Sequence, residues 1–214
     1  RVTSYRNGTL LAVAYFAAMP AMFLTLTLFL QLGQGLAAVF AGMVTIPFAL
    51  MMALSSFYSG RVVERYGRGL VVTGLAIVFV GFGLVLVSVL VLPAAAVPWA
   101  VAIAMGIAGT GGGAVIAPNQ TLALADIPVT SGSIQQVGQR VGTAVGLAAA
   151  TAAFYVTVYA ETGTETEIVV YQDAYLHAAL VILGFIAIAL AFALADLRAR
   201  SVGAMHTLQD ARTT

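Results

Sequence analysis

Polar residues are sparse along this chain, and they fall at intervals. Between them run six almost uninterrupted apolar segments, at 10–30, 36–58, 70–92, 97–124, 131–158 and 174–197. A helix needs about 20 mostly apolar residues to cross a hydrocarbon core of roughly 30 Å, and all six runs reach that length. None alternates apolar and polar positions as a strand of a membrane barrel would, so a β-barrel is disfavoured. The pattern predicts an all-α, polytopic membrane protein of six transmembrane helices. Short links at Gln31–Gly35 and Pro93–Ala96 make neighbouring helices antiparallel. The second run is expected to end at Ser59-Gly60, and the polar tail 201–214 to be frayed.

Composition agrees with the pattern. The chain is 61% hydrophobic and 8% charged, against about 25% charged in an ordinary soluble domain. Nine basic and eight acidic side chains cannot cover a water-soluble surface for 214 residues. A soluble enzyme, a nucleic-acid binder and a disordered linker are thereby excluded, and the lipid bilayer is the first partner implied. There is no Cys, hence no disulfide, thiolate nucleophile or Cys-containing zinc site. All basic residues are Arg. The chain begins at Arg1 with no leader-like charge and cleavage pattern. It reads as a piece of a longer protein whose first apolar run is a span and no signal peptide.

The placement of charge orients the bundle. With six spans, both termini lie on one side. Arg1, Arg6, Arg61, Arg65, Arg68, Arg198, Arg200 and Arg212 all fall on that side, and the opposite side has no Arg. The opposite side carries an acidic stretch instead, with Glu161, Glu165, Glu167 and Asp173. The positive-inside rule puts both termini in the cytoplasm. The acidic stretch reads as solvated surface, with a cation-attracting vestibule as the sharper alternative. Trp99 reads as an interfacial anchor. Asp173 and His177, one turn apart, read as a polar cap or as a pH sensor.

The segment between the second and third runs is Gly60-Arg61-Val62-Val63-Glu64-Arg65-Tyr66-Gly67-Arg68-Gly69. Its glycines permit a reversal with φ > 0. Glu64 is placed to pair with arginines or to cap a helix N-terminus. On charge alone this is either a generic positive-inside loop or an ion-paired junction. Its pattern, G-x-x-x-[D/E]-R-x-G-[R/K], resembles the signature loop of the major facilitator superfamily, with Gly60, Glu64, Arg65, Gly67 and Arg68 at the matching positions. Glu64 stands where Asp is commoner. Ala117-Pro118-Asn119-Gln120 and the run from Ser131 through Gln135-Gln136-Val137-Gly138-Gln139-Arg140-Val141-Gly142 to Gly146 are similar to the penultimate-span region of the fourteen-span drug:proton antiporters of the EmrB/QacA type. Tyr5-Arg6-Asn7 and Asp173-Ala174-Tyr175 match that type as well.

The resemblance covers nearly the whole chain and implies the C-terminal six-helix half of a secondary transporter. The implied function is proton-coupled multidrug efflux from the cell by alternating access, across the plasma membrane. The implied partners are an N-terminal transmembrane half absent from this chain, a small hydrophobic or amphipathic substrate, and protons. No helix carries an Asp or Glu deep in the membrane, where proton coupling usually needs a titratable group. The coupling carboxylate is therefore expected in the missing half. A transporter of this kind is no enzyme and needs no cofactor or metal. An intramembrane enzyme is disfavoured independently, since no nucleophile, acid and base converge at one depth. The non-transport alternative is a membrane scaffold or assembly subunit that uses glycine stripes for helix contacts.

Individual residues stand out within the spans. Gly138, Gly142 and Gly146 form a small-residue stripe, as do Gly109 and Gly113. Such stripes let helix backbones approach closely, and a hinge is the sharper reading of the first. Gln136, Arg140 and Thr143 share a neighbouring face, flanked by Gln135 and Gln139. Arg140 is about 13 Å from Ser131 along the helix axis, close to the middle of the hydrocarbon. A cation at that depth faces a wet cavity or a partner. The competing reading is that it snorkels to the interface or binds carbonyls. Tyr15, Met19 and Phe23 offer the first helix a soft aromatic lining, with Met22, Thr25 and Thr27 nearby. Gly109-Thr110-Gly111-Gly112-Gly113-Ala114, with Asp126 beyond, has the form of a dinucleotide fingerprint. That fingerprint needs a strand before it, and an apolar membrane run supplies none. Pro20, Pro47 and Pro118 are expected to kink their helices, and the carbonyl freed by Pro118 is expected to find Asn119 or Gln120. The third helix has only Thr73 and Ser88 as polar interruptions and the sixth has none over 178–195; the resemblance implies that these two lie outside and the other four line the path, and the pattern agrees, since lipid-facing helices need no polar groups.

Overall fold

The computed structural model describes residues 2–124, 131–161, 163 and 166–213, with side chains described over 6–63, 65–116, 118–119, 135–161, 163 and 166–198. Asp126 and Glu165, both singled out above, lie outside the described residues. The architecture is all-α. Helix α1 is Val2–Leu28, and a single π turn, Phe29–Gly33, continues it. One hydrogen-bonded run, Ala38–Val91, reverses at Gly67; its two arms are α2 (38–66) and α3 (68–91). Then follow α4 (Val97–Leu124), α5 (Ser131–Glu161) and α6 (Glu167–Thr213). Six segments are long and apolar enough to cross a membrane: Arg6–Gly33, Ala38–Val63, Arg65–Val91, Val97–Ile116, Gln135–Glu161 and Glu167–Arg198. Hydrocarbon offers the backbone no hydrogen-bond partner, so each spanning segment must satisfy its own, and a helix does this locally.

Two boundaries differ from the sequence pattern. The second helix does not stop at Ser59-Gly60; it runs on through the arginine-rich segment to residue 66. Residues 60–66 contain one glycine and are otherwise compatible with a helix, and cation–aromatic contacts continue through them. Arg61 lies 4.1 Å over the Phe57 ring and Arg65 5.8 Å from the Tyr66 ring. The reversal rests on Gly67 alone, at φ 50° and ψ −129°, a conformation that residues with a Cβ rarely adopt. Gly60 is helical with open space around it. At the other end of the chain, the backbone stays helical through the segment expected to fray, as far as Thr213. Pro20, Pro47 and Pro118 all sit inside continuous helices.

Glycines set the helix register. A Cβ on Gly109 would strike the Phe48 backbone, and one on Gly113 would meet Met52 and Ser56. Along α2 and α4 these partners advance together, so the two helices are parallel. Gly74 faces Gly111, and Gly81 faces Ala108, so α3 runs antiparallel to α4. Gly142 abuts the Val13 carbonyl and Gly146 that of Ala17, with Gly138 against the Val13 side chain. Helices α1 and α5 are therefore parallel and in backbone contact. The hydroxyls of Ser55 and Ser56 donate across to the carbonyls of Thr110 and Gly113.

The six helices form two groups of three. Helix α4 packs against α2 and α3, and α1 packs against α5 and α6. Contacts of α3 with α6 and of α1 with α4 join the groups. Helices α1 and α4 are the most buried spans. Within this bundle α2 and α5 are the more exposed helices and α3 and α6 the more covered. An apolar helix serves equally against lipid or inside a bundle, so absence of polar groups does not choose between the two.

Gly67→Ala is expected to lower stability by about 1–3 kcal/mol, the cost of a non-glycine residue in a sparsely populated backbone region. Gly60→Ala is expected to raise stability by about 0.5–1 kcal/mol, as at an open helical position. Unfolding in mixed detergent micelles, followed by far-UV circular dichroism, measures both. Equal effects at the two positions would contradict the reversal at Gly67.

Candidate functional site

The glycine ladder of α5 turns its polar stripe to one side of the contact with α1. Thr143 donates a hydrogen bond across that contact, Oγ1 to the Phe16 carbonyl at 3.3 Å. Beside it opens a cavity of about 410 Å³, lined by Phe16, Gln136, Gln139, Arg140 and Thr143. Gln136 and Arg140 are exposed in it, and Gln139 and Thr143 are half-buried. Arg140 has no ion-pair partner among the described residues. The lining supplies guanidinium, amide and hydroxyl groups on one side and an aromatic face on the other. It holds neither a carboxylate nor an imidazole; its one charge is the Arg140 cation, beside amides that can donate and accept.

The register gives the level of Arg140 along α1. Its neighbours Gly138, Gly142 and Thr143 lie against Val13 and Phe16 of α1. Those residues are about a third of the way along the Arg6–Gly33 span. Arg140 is therefore nearer the arginine-rich end of the bundle than the opposite one.

Other expected lining residues lie elsewhere. Tyr15 and Met19 are buried in the core, and Phe23 is half-buried, edge-on to Phe48 at 5.1 Å between centroids. The structure thus brings together Gln136, Gln139, Arg140 and Thr143, and leaves Tyr15, Met19 and Phe23 as packing. Tyr15 meets the edge of the site: its ring is edge-on to that of Phe16, 5.8 Å between centroids, and it shares a void of about 10 Å³ with Gln139 and Asn119. Gln135 is buried and takes no part in the cavity.

The signature segment places a second arginine in different surroundings. Arg68 is 5% exposed and Asp196 of α6 is 2% exposed. Arg68 Nε lies 2.7 Å from Asp196 Oδ2. Arg68 Nη1 donates to Asn119 Oδ1 at 2.8 Å, and Asn119 Nδ2 donates to the Gly8 carbonyl at 3.2 Å. Four helices, α1, α3, α4 and α6, are thereby tied at one point. Asn119 does not serve the carbonyl freed by Pro118, as expected from sequence; its amide donor goes to the Gly8 carbonyl instead, and the side chain of Gln120 lies outside the described residues. Arg65 is exposed, and the side chain of Glu64 lies outside the described residues.

At the opposite end, His177 Nδ1 lies 2.9 Å from the Asp173 carbonyl and 3.1 Å from Thr157 Oγ1. This is a polar cap, made through the backbone of Asp173 and a hydroxyl of α5. Trp99 is exposed. Among the described residues no group of His, Cys, Asp and Glu could hold a metal ion.

Two residues escaped the sequence reading. Asp196 lies on the last turn of the sixth apolar run, just before Arg198 and Arg200, where an acid passes for interfacial surface. Its signal was being the sole acid on the last turn of an otherwise acid-free run. Phe16 carried no signal at all, because the position of α5 beside it is a tertiary fact. No protein-family profile matches the chain, and no curated protein matches its sequence.

Removing one member of a buried ion pair strands the other at a cost of about 3–5 kcal/mol. Arg68→Met and Asp196→Leu are each expected to destabilise by that order, and the double variant by less than either. Thermal aggregation of detergent-solubilised protein gives the double-mutant cycle. Additive effects would show that the pair is not coupled.

Proposed function

We propose that this chain is the C-terminal half of a secondary transporter of the major facilitator type, resembling the fourteen-span drug:proton antiporters. In this reading it lies in the plasma membrane with both ends in the cytoplasm. It rocks against an N-terminal half around a shared path and moves small amphipathic molecules outward in exchange for protons. Transporter sites lie at the interface between such halves. The observation that carries the reading is the cavity at Gln136, Gln139, Arg140 and Thr143 on an exposed helix of a six-span bundle. Two further features favour it. The order of motifs along the whole chain matches the family pattern. The signature segment also contributes Arg68 to a buried junction of four helices, which gives that segment a role beyond orienting the bundle.

The scaffold alternative loses its main support. The stripes at Gly109 and Gly113 and at Gly138, Gly142 and Gly146 are used inside the bundle, against α2 and α1, so they are not free to recruit another protein. The central parts of the described spans hold no Asp or Glu. Proton coupling in this reading therefore relies on a carboxylate of the other half.

Dye efflux from everted vesicles carrying the full-length protein tests the proposal. Efflux is expected to be driven by a proton gradient, and Arg140→Gln is expected to slow it about tenfold, the scale of one hydrogen bond to a charged group, at unchanged expression. Absence of gradient-driven efflux would refute the reading, and proton-driven transport by this chain alone would refute the division of labour between halves.

A further inference from the structure

The bundle contains two arginines near one end whose charges are handled in opposite ways. Arg68 is buried and has Asp196 at 2.7 Å and Asn119 at 2.8 Å. Arg140 is exposed to a cavity of about 410 Å³ whose other lining residues are uncharged. The acids described with their side chains are Glu161, Glu167 and Asp173 at the far end of the bundle, and Asp196, already held by Arg68. None of them lines this cavity. A guanidinium within a membrane span calls for an anionic or strongly polar partner. Around it, Gln136 and Gln139 present neutral amide donors, Thr143 spends its hydroxyl hydrogen on the Phe16 carbonyl, and the Phe16 side chain presents an apolar ring. One cation and two amides able to donate lie beside an aromatic residue, and no lining residue carries a negative charge.

We infer that this cavity binds the anionic oxyacid group of an amphiphile, a carboxylate or a phosphate, on Arg140, with the apolar body of the ligand against Phe16. The inference deepens the proposed function and rests on its cavity. It changes the cargo class, because a site that carries a bare guanidinium and no acid disfavours the lipophilic cations that a multidrug exporter would otherwise be tested with. The guanidinium meets the oxyacid in a bidentate fork, and Gln136 and Gln139 flank it. The anion can arrive as a free amphiphile or as a lipid phosphate.

The test uses the full chain in phosphatidylcholine nanodiscs and three radiolabelled probes of equal bulk: 1-naphthylacetate, 1-naphthylacetamide and 1-naphthylmethylammonium. The acetate is expected to bind about tenfold or more tighter than the amide, with the ammonium weakest. Arg140→Gln is expected to bring acetate down to the level of the amide, and Arg140→Lys to keep part of the preference. Equal affinities, an ammonium that binds tightest, or a preference that survives Arg140→Gln would each overturn the inference. The wild-type comparison decides it even if a variant fails to fold. Adding phosphatidylglycerol separates the sources. If it weakens acetate binding alone, lipid phosphate competes for the site; if it does not, the site takes free amphiphiles. Either result upholds an anion site. Anion binding without efflux by the full-length protein overturns the transport reading alone, and Arg140-independent efflux of neutral or cationic dyes overturns the anion site alone.

Discussion

Backbone lies on backbone where α5 crosses α1, and most of what is distinctive in this bundle depends on that approach. Lipid tails are as apolar as leucine, so burial alone gives membrane helices little reason to associate. Close van der Waals packing supplies the attraction, and it needs residues without bulk. Gly142 and Gly146 bring α5 onto the carbonyls of Val13 and Ala17. Once that seam is set, rotation and register of α5 are set with it. Gln136, Arg140 and Thr143 then fall at the rim of the seam, where the cavity opens. The same device recurs on α4, which uses Gly109 and Gly113 toward α2 and Gly111 toward α3. A helix with two small-residue faces can sit at the centre of its group, and α4 does.

Charge obeys a different rule from packing. Arg68 and Arg140 are the same residue in the same part of the bundle, yet one is a structural rivet and the other a free hand. The difference lies in what stands opposite. Asp196 and Asn119 complete the shell of Arg68 and let it be buried. Such a shell gives little net stability over an apolar one, but it penalises any arrangement that separates its members. It therefore acts on the relative placement of the two helix groups, since α3 and α4 belong to one and α1 and α6 to the other. Opposite Arg140 the bundle places an aromatic ring and open volume.

The features legible in the sequence were those written in local periodicity. Six apolar runs of spanning length gave six spans. The four-residue spacing of Gly138, Gly142 and Gly146 marked a packing face, and the Gln136–Arg140–Thr143 stripe marked the face beside it. What escaped was set by contact between distant segments. Gly60 and Gly67 look alike in sequence, and only the conformation of the chain shows that Gly67 makes the reversal. Tyr15 and Met19 looked like lining because a soft aromatic stripe suits either a cavity or a core, and the glycines of α4 take them into the core; a Cβ on Gly112 would meet the Tyr15 hydroxyl at 3.1 Å. Asp196 needed its distant partner to be recognised.

The junction at Arg68 also has a history in time. Asn119 is 51 residues downstream of Arg68, and Asp196 comes two helices later still. A ribosome adding about 5–20 residues per second delivers the last partner on the order of ten seconds after the first. In that interval the guanidinium at the head of α3 lacks its carboxylate partner, which favours a place at the water boundary. The hairpin of α2 and α3 is thus held shallow until α6 brings Asp196, and docking of that helix closes the junction.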